Sequence, residues 1–340
     1  MQRNHEQIRN TSSRQAFTLV ELLIVGAIIV ILIALTFIVI RMAIAASKET
    51  KTRTTIQKLD TAILQIFETY ESRFAAIQNK LLQDFPALPD ELRQKIATHF
   101  IRDLMRMEMP QHWAEVYDSN NPGRPLGPIK ITLNRTAYAV DKSALLDYYW
   151  GEYNRAATSG NTPSRAALLF LIIQNLNPEA LEAFHGSEVA VGDDGLFMFV
   201  DAWGNPIRFL RWAPALTGSA LQPDVLAMTQ PKYVPDTNIN ANRNWWGARE
   251  PQLLDAMISA KNKHRDPLDD WGSALGWFLY PVIYSAGPDG KYGIDEGDDV
   301  SPAVISDDEI LDPFTFPYGM PDGTNNYLDN IHNHQWYRTF

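Results

Sequence analysis

The sequence predicts an α+β protein, on three observations. Residues 17–40 form an almost unbroken apolar run, which continues to residue 85 as a stripe with helical spacing. Residues 86–190 keep that helical period. After Gly186 the pattern changes to short apolar and aromatic runs between Gly, Pro and Asn turns, which reads as β-structure. The implied division is a basic leader at 1–16, a membrane helix at 17–40, an amphipathic continuation at 41–85, a helical insert at 86–190 and a β-rich part at 191–340.

The leader carries Arg3, Arg9 and Arg14 against Glu6, and from Leu22 to Ile40 no residue is charged. About 20 apolar residues at 1.5 Å rise cross the hydrocarbon core of a bilayer. Thr18, Gly26 and Thr36 are compatible with that, since membrane helices tolerate small residues and hydroxyls. The run is too long for the core of a signal peptide, and Arg41, Met42, Ala43 and Ile44 continue the helix where a cleavage site would stand. A plain anchor has no use for Glu21. A carboxylate near the end of a membrane helix costs up to a few kcal/mol and is a functional candidate by default. If the leader is removed before Phe17, a new ammonium group lies one turn from Glu21, at the positive end of the helix dipole. Among parallel helices the same carboxylate can instead neutralise the amine of a neighbouring chain.

The segment Ala16-Phe17-Thr18-Leu19-Val20-Glu21-Leu22-Leu23-Ile24-Val25 resembles the type III signal of type IV pilins and type II secretion pseudopilins. In that family a prepilin peptidase cuts before the Phe and N-methylates it, and the Glu is the fifth residue of the mature chain. Phe17 and Glu21 match position for position, whereas Ala16 stands where Gly is usual. The resemblance implies processing at Ala16 and Phe17 and assembly through Glu21. It also implies a pilin-like fold, with the long helix packed on a small antiparallel sheet, here enlarged by the helical insert. Arg41, Lys48, Lys51 and Arg53 offset the positive leader, so orientation rests on the resemblance. It places the leader in the cytoplasm and the C-terminal part in the periplasm.

Beyond the membrane, Ile56, Leu59, Ile63, Ile66, Tyr70, Phe74, Ile77 and Leu81 recur every three or four residues, an amphipathic stripe that predicts packing on the protein's own head. An inter-subunit coiled coil is the alternative. No Pro or Gly falls between Gly26 and Pro86, so an unbroken helix would be roughly 100 Å long. A break near residues 48–51 is the other reading. Pro86 and Pro89 end the helix, and Pro89-Asp90-Glu91 starts the next, with acidic residues in its first turn. Helices are expected at 90–109, 141–157, 163–176 and 178–185. The run Ala-Ala-Leu-Leu-Phe-Leu-Ile-Ile at 166–173 is too short for a bilayer and predicts a buried core helix.

The runs 195–200 and 207–212 flank Asp201-Ala202-Trp203-Gly204-Asn205-Pro206, which predicts a β-hairpin around a Gly-Asn turn. This stretch is similar to the D-x-W-G-N-P segment of major pseudopilins. Residues 213–251 read as an irregular excursion, 251–263 as a short helix, and 277–284 as a strand in which Pro281 suggests an edge or a bulge. Next comes a loop with glycines at 287, 290, 293 and 297 and carboxylates at Asp289, Asp295, Asp298 and Asp299. Oxygen ligands in a flexible loop suit Ca²⁺, and the spacing is not that of an EF-hand. Asp289 and Asp299 are the stronger ligands, with Asp295 and Asp298 competing for a further place. The alternative is a solvated acidic loop. The loop resembles the one in major pseudopilins where calcium replaces a disulfide, and this chain has no Cys.

The rest of the sequence excludes more than it offers. Asp193-Asp194 and Asp266, Asp269 and Asp270 read as solvated acidic turns, and His332 and His334 as a surface tail. No HExxH, G-x-S-x-G, phosphate-binding loop or dinucleotide fingerprint is present, so no enzyme is predicted. A net charge of −10 argues against nucleic acid. The resemblance implies a fibre subunit of a type II secretion-like system. Its partners would be pilin-like subunits, the prepilin peptidase, an inner-membrane assembly platform and membrane lipid. A minor or tip subunit, or an anchored ligand-binding protein that never polymerises, are the alternatives.

Overall fold

The structure, a computed structural model, describes residues 19–118, 123–133, 135–158, 160–212, 281–294, 324 and 326–335. It is α+β, with a long apolar N-terminal helix followed by shorter helices and small antiparallel sheets. The chain divides into two compact units, before and after the junction of Lys48 and Glu49.

Helix α1, Leu19–Asp84, runs through that junction without interruption. The break considered at residues 48–51 is absent. No Gly or Pro interrupts that stretch, Arg53 pairs with Glu49 one turn back (2.6 Å), and Thr54 and Thr55 turn their hydroxyls onto the carbonyls of Thr50 and Lys51. Up to Ile44 the helix exposes its large apolar side chains on every side. From Glu49 it does the opposite. Ile56, Leu59, Ile63, Ile66 and Tyr70 are buried in the main core, and Leu81 is buried at the far end, as the stripe predicts. Pro86 cannot continue the helix, and the amide of Phe85 closes it on the carbonyl of Leu81.

Helix α2 (Asp90–Glu108) and the turn after it carry three buried carboxylates, each held by an arginine. Asp103 accepts from Arg106 at 2.7 Å and from the amide of Ile129 at 2.8 Å. Glu108 takes both prongs of Arg73 from α1 (2.5 and 2.8 Å) and the Tyr70 hydroxyl (2.8 Å). Glu115 accepts from Arg211 at 2.7 and 3.0 Å and from the Gln111 amide at 2.8 Å. Burial alone would push the Glu115 carboxyl up. The Arg211 and His112 charges, with the hydrogen bonds from Arg211 and Gln111, override it and hold the group down at about 2. Breaking such a buried pair leaves an unpaired charge, at a cost of about 3–5 kcal/mol.

Helices α3 (Ala144–Thr158) and α4 (Ala166–Leu176) follow, and residues 166–173 of α4 are buried throughout, as expected. The helical insert is less uniform than the sequence suggests. It contains an antiparallel hairpin, β1 (Ile131–Leu133) and β2 (Thr136–Tyr138), turning at Arg135 with φ of 67°. Three-residue strands are too short to impose a period-2 pattern. Residues 178–183 form a 3₁₀ helix rather than an α-helix, started by Pro178.

Two sheets complete the head among the described residues. Strand β3 (Val189–Val191) pairs with β4 (Phe197–Phe199), while β5 (Arg208–Leu210), β6 (Val282–Ser285) and β7 (Ile331–His332) form an antiparallel sheet with β6 in the middle. The expected hairpin across Asp201-Asn205 is therefore corrected. The chain does reverse there, with Val200 bridged to Pro206 and the Ile207 amide on the Phe199 carbonyl at 2.8 Å. Beyond the turn, β4 and β5 pair elsewhere. Pro281 does not mark an edge. It stands just before the central strand, where its missing N–H removes no ladder bond, and its carbonyl accepts from Asn333 and His334. Residues 213–280, with the predicted excursion, helix and start of the strand, lie outside the described residues, as do Asp266, Asp269 and Asp270.

Two expectations about polar residues fail. Asp194 is not solvated: it is buried, accepting from the amides of Ser164 (2.6 Å) and Leu196 (3.0 Å). Nor do His332 and His334 lie on a surface tail: β7 pairs with β6 and buries His332, and His334 is buried in the 3₁₀ turn that follows, against the Pro281 carbonyl. Burial pushes the His332 imidazole down to about 4. Its folded pKa thus lies below the ordinary value of about 6.5. The folded state binds fewer protons than the unfolded state between pH 4 and 6.5, so stability is greatest above this window and falls as pH drops through it. The predicted loss is about 3 kcal/mol from this group. Urea unfolding of the full chain across that window should show a flatter pH dependence for His332→Phe than for the wild type. Parallel slopes would refute the assignment.

Candidate functional site

Two regions carry the residues that the sequence singles out. The first is α1 up to Lys48. It is the one helix among the described residues long and apolar enough to cross a membrane, and its most apolar window has no buried residue. Glu21 lies in its first turn and is exposed. The Thr36 hydroxyl satisfies itself on the Leu32 carbonyl at 2.7 Å, so the helix presents hydrocarbon with little polar surface. Ala16 and Phe17 lie outside the described residues.

The second region joins two sequence motifs that the chain separates by some eighty residues. Asp201 is buried and its carboxylate organises the turn that follows. One oxygen accepts the amides of Trp203 and Asn205, both at 2.8 Å; the other accepts Asn205 Nδ2 at 3.1 Å and the Ser285 hydroxyl at 2.7 Å. Asn205 Nδ2 also reaches the carbonyl of Gly287 at 2.7 Å. The Asp-x-x-x-Asn turn thus grips the loop that begins at Ser285. No signal in either motif by itself announces this contact.

The loop is fixed from its other side too. The Asn330 side chain donates to the Tyr292 carbonyl at 2.5 Å, the Tyr292 hydroxyl donates to Pro206, and the Arg208 guanidinium lies 3.8 Å from the Tyr292 ring centre. Gly287, Gly290 and Gly293 all have positive φ, at 69°, 72° and 60°. At Gly287 the requirement is double, because a Cβ would come within 2.3 Å of the Asp329 carbonyl oxygen.

Of the four carboxylates expected to hold a cation, the structure places Asp289, exposed at the end of the 3₁₀ turn Gly287–Asp289. Its Oδ1 accepts the Lys291 amide at 2.8 Å, and its own amide donates to the Asp329 carboxylate at 3.4 Å. Asp329 thereby joins the loop as a carboxylate that the sequence did not flag. Asp295, Asp298 and Asp299 lie outside the described residues. Among the described residues no group of three or more His, Cys, Asp or Glu is placed to hold a metal ion.

No protein-family model matches the chain, and no curated protein or solved structure matches it.

The geometry makes Asp201 and Gly287 the anchors of the loop. Asp201→Ala removes the buried acceptor of four hydrogen bonds, and Gly287→Ala combines positive φ with a backbone clash. Each should cost about 2–4 kcal/mol in chemical denaturation of the full chain. Ala at the exposed neighbour Gly204, whose Cβ would meet open space, should cost less despite its positive φ. A Gly287→Ala protein as stable as the wild type would contradict this placement.

Proposed function

We propose that this chain is a structural subunit of a pseudopilus or pilus-like fibre of a type II secretion-like system. A prepilin peptidase would cut it between Ala16 and Phe17, and it would assemble through its N-terminal helix. The observation that carries the reading is the surface of α1 up to Ile44, which is apolar and exposed all round and bears one carboxylate, Glu21, in its first turn. Lipid covers such a helix before assembly. In a bundle of parallel helices, neighbouring subunits cover it instead, and the Phe17 amine of one chain compensates the Glu21 carboxylate of another. The partners are other pilin-like subunits, the peptidase, an inner-membrane assembly platform and lipid. The protein would sit in the bacterial inner membrane with a single span and its C-terminal part in the periplasm, and the assembled fibre would cross the periplasm.

The rival readings keep the membrane helix but not its role in the polymer. They are a minor or tip subunit, and an anchored ligand-binding protein. Glu21→Ala separates them. The variant should insert in the membrane as well as the wild type yet be lost from sheared or pelleted fibres, at least about tenfold if the charge pair sets the register. Wild-type incorporation of Glu21→Ala would remove the polymerisation reading.

Calcium belongs to the same proposal. The tight positive-φ glycines, the exposed Asp289 and the adjacent Asp329 offer oxygen donors only, which suits Ca²⁺ better than zinc. Asp289 would hold the ion with Asp299 and with Asp295 or Asp298, and the ion would close the loop in place of a disulfide. Chelating calcium should lower the melting temperature of the full chain by several degrees, and Asp289→Asn should abolish that dependence. An identical melting temperature with and without chelator would exclude the ion.

A further inference from the structure

A cavity of 360 Å³ opens where α1 ends, walled by the last turns of α1, by Phe100 of α2 and by β2 with the residues after it. Its floor is hydrocarbon, from Ile77, Leu81 and Val140. Phe85 and Tyr138 meet edge to face at its side, with ring centres 5.3 Å apart. The size falls in the range of small-molecule sites, and an apolar interior with a few polar groups at the rim is their usual composition.

The rim decides the charge of the occupant. Lys80 and Asp141, both exposed lining residues, pair at 3.3 Å, so their opposite charges offset each other. Asp84 also lines the cavity and is exposed, with no ion pair or hydrogen bond among the described residues. It sits in the last turn of α1, which has no basic residue. The unsatisfied carbonyls of a helix C-terminus add about half a negative charge at that point. Carboxylate, carbonyl dipoles and an aromatic wall are the three elements that recognise an organic ammonium. With Lys80 offset by Asp141, an anionic ligand meets Asp84 and the helix terminus as net repulsion.

We propose that this cavity binds a small amphipathic organic cation, its aromatic or alkyl body against Ile77, Leu81 and Val140 and its ammonium group at Asp84. The site lies wholly within the unit after Lys48 and does not depend on the fibre reading.

The test is calorimetric titration of the full chain in detergent micelles, with micelle-only blanks, using 4-phenylbutylamine, 4-phenylbutyrate and 4-phenylbutanol. The wild type should bind the amine about tenfold or more tighter than the acid, with the alcohol between them. Asp84→Asn should bring amine and alcohol to within about threefold. Ala139→Trp, which fills the cavity from an exposed lining position, should abolish saturable binding of all three. Equal or reversed affinities of amine and acid, binding that survives in Ala139→Trp, or no saturable binding of the amine would overturn the proposal.

Discussion

The constraint on which everything else depends is the uninterrupted apolar surface of the N-terminal helix. Between residues 19 and 44, 19 large apolar side chains are exposed. At about 1.5–3 kcal/mol for each side chain moved out of water, covering them is worth tens of kcal/mol. A folded domain is typically stable by only about 5–15 kcal/mol. A lipid or protein surface laid over these side chains would recover free energy on that scale. The proposed role of Glu21 rests on the same physics: the more complete an apolar covering, the greater the cost of a carboxylate without a compensating charge.

The rest of the chain uses the same helix in a different way. From Ile56 onward α1 supplies one wall of the core, and the other walls come from α2, α3, α4 and the sheets. Polar contacts fix which walls meet. Glu108 at the end of α2 takes Arg73 and Tyr70 of α1, and Glu115 takes Arg211 just beyond β5. Apolar burial supplies most of the driving force but little orientation, whereas a buried carboxylate accepts only the geometry that pairs it. Asp201 repeats the device on a smaller scale, joining the 201–205 turn to Ser285 and hence to the loop.

The features legible in the sequence were those set by local pattern. The amphipathic stripe from Ile56 to Leu81, the buried core helix from Ala166 and the reversal at Gly204-Asn205 all follow from spacing or turn chemistry within a dozen residues. What stayed hidden depends on distant partners. Nothing near His332 signals that β7 will pair with β6 and bury it, and nothing near Asp194 signals the Ser164 amide that takes it out of water. The strands that begin at Ile131 and Val189 are three residues long, below the length at which alternation can be read. The motifs at 201–206 and 285–293 were visible separately, but the hydrogen bonds that make them one site were not. Asp329 had no signal at all, since its place in the loop comes from the amide of Asp289, forty residues earlier in the chain.

The assembly account turns on a newly exposed amine one helical turn from Glu21, so the most direct measurement is the intact mass and N-terminal residue of the protein extracted from bacterial membranes. The account predicts a chain that begins at Phe17 and carries a methyl group on its amine. Recovery of a chain that still holds residues 1–16 would contradict it, because Glu21 would then have no such amine to neutralise.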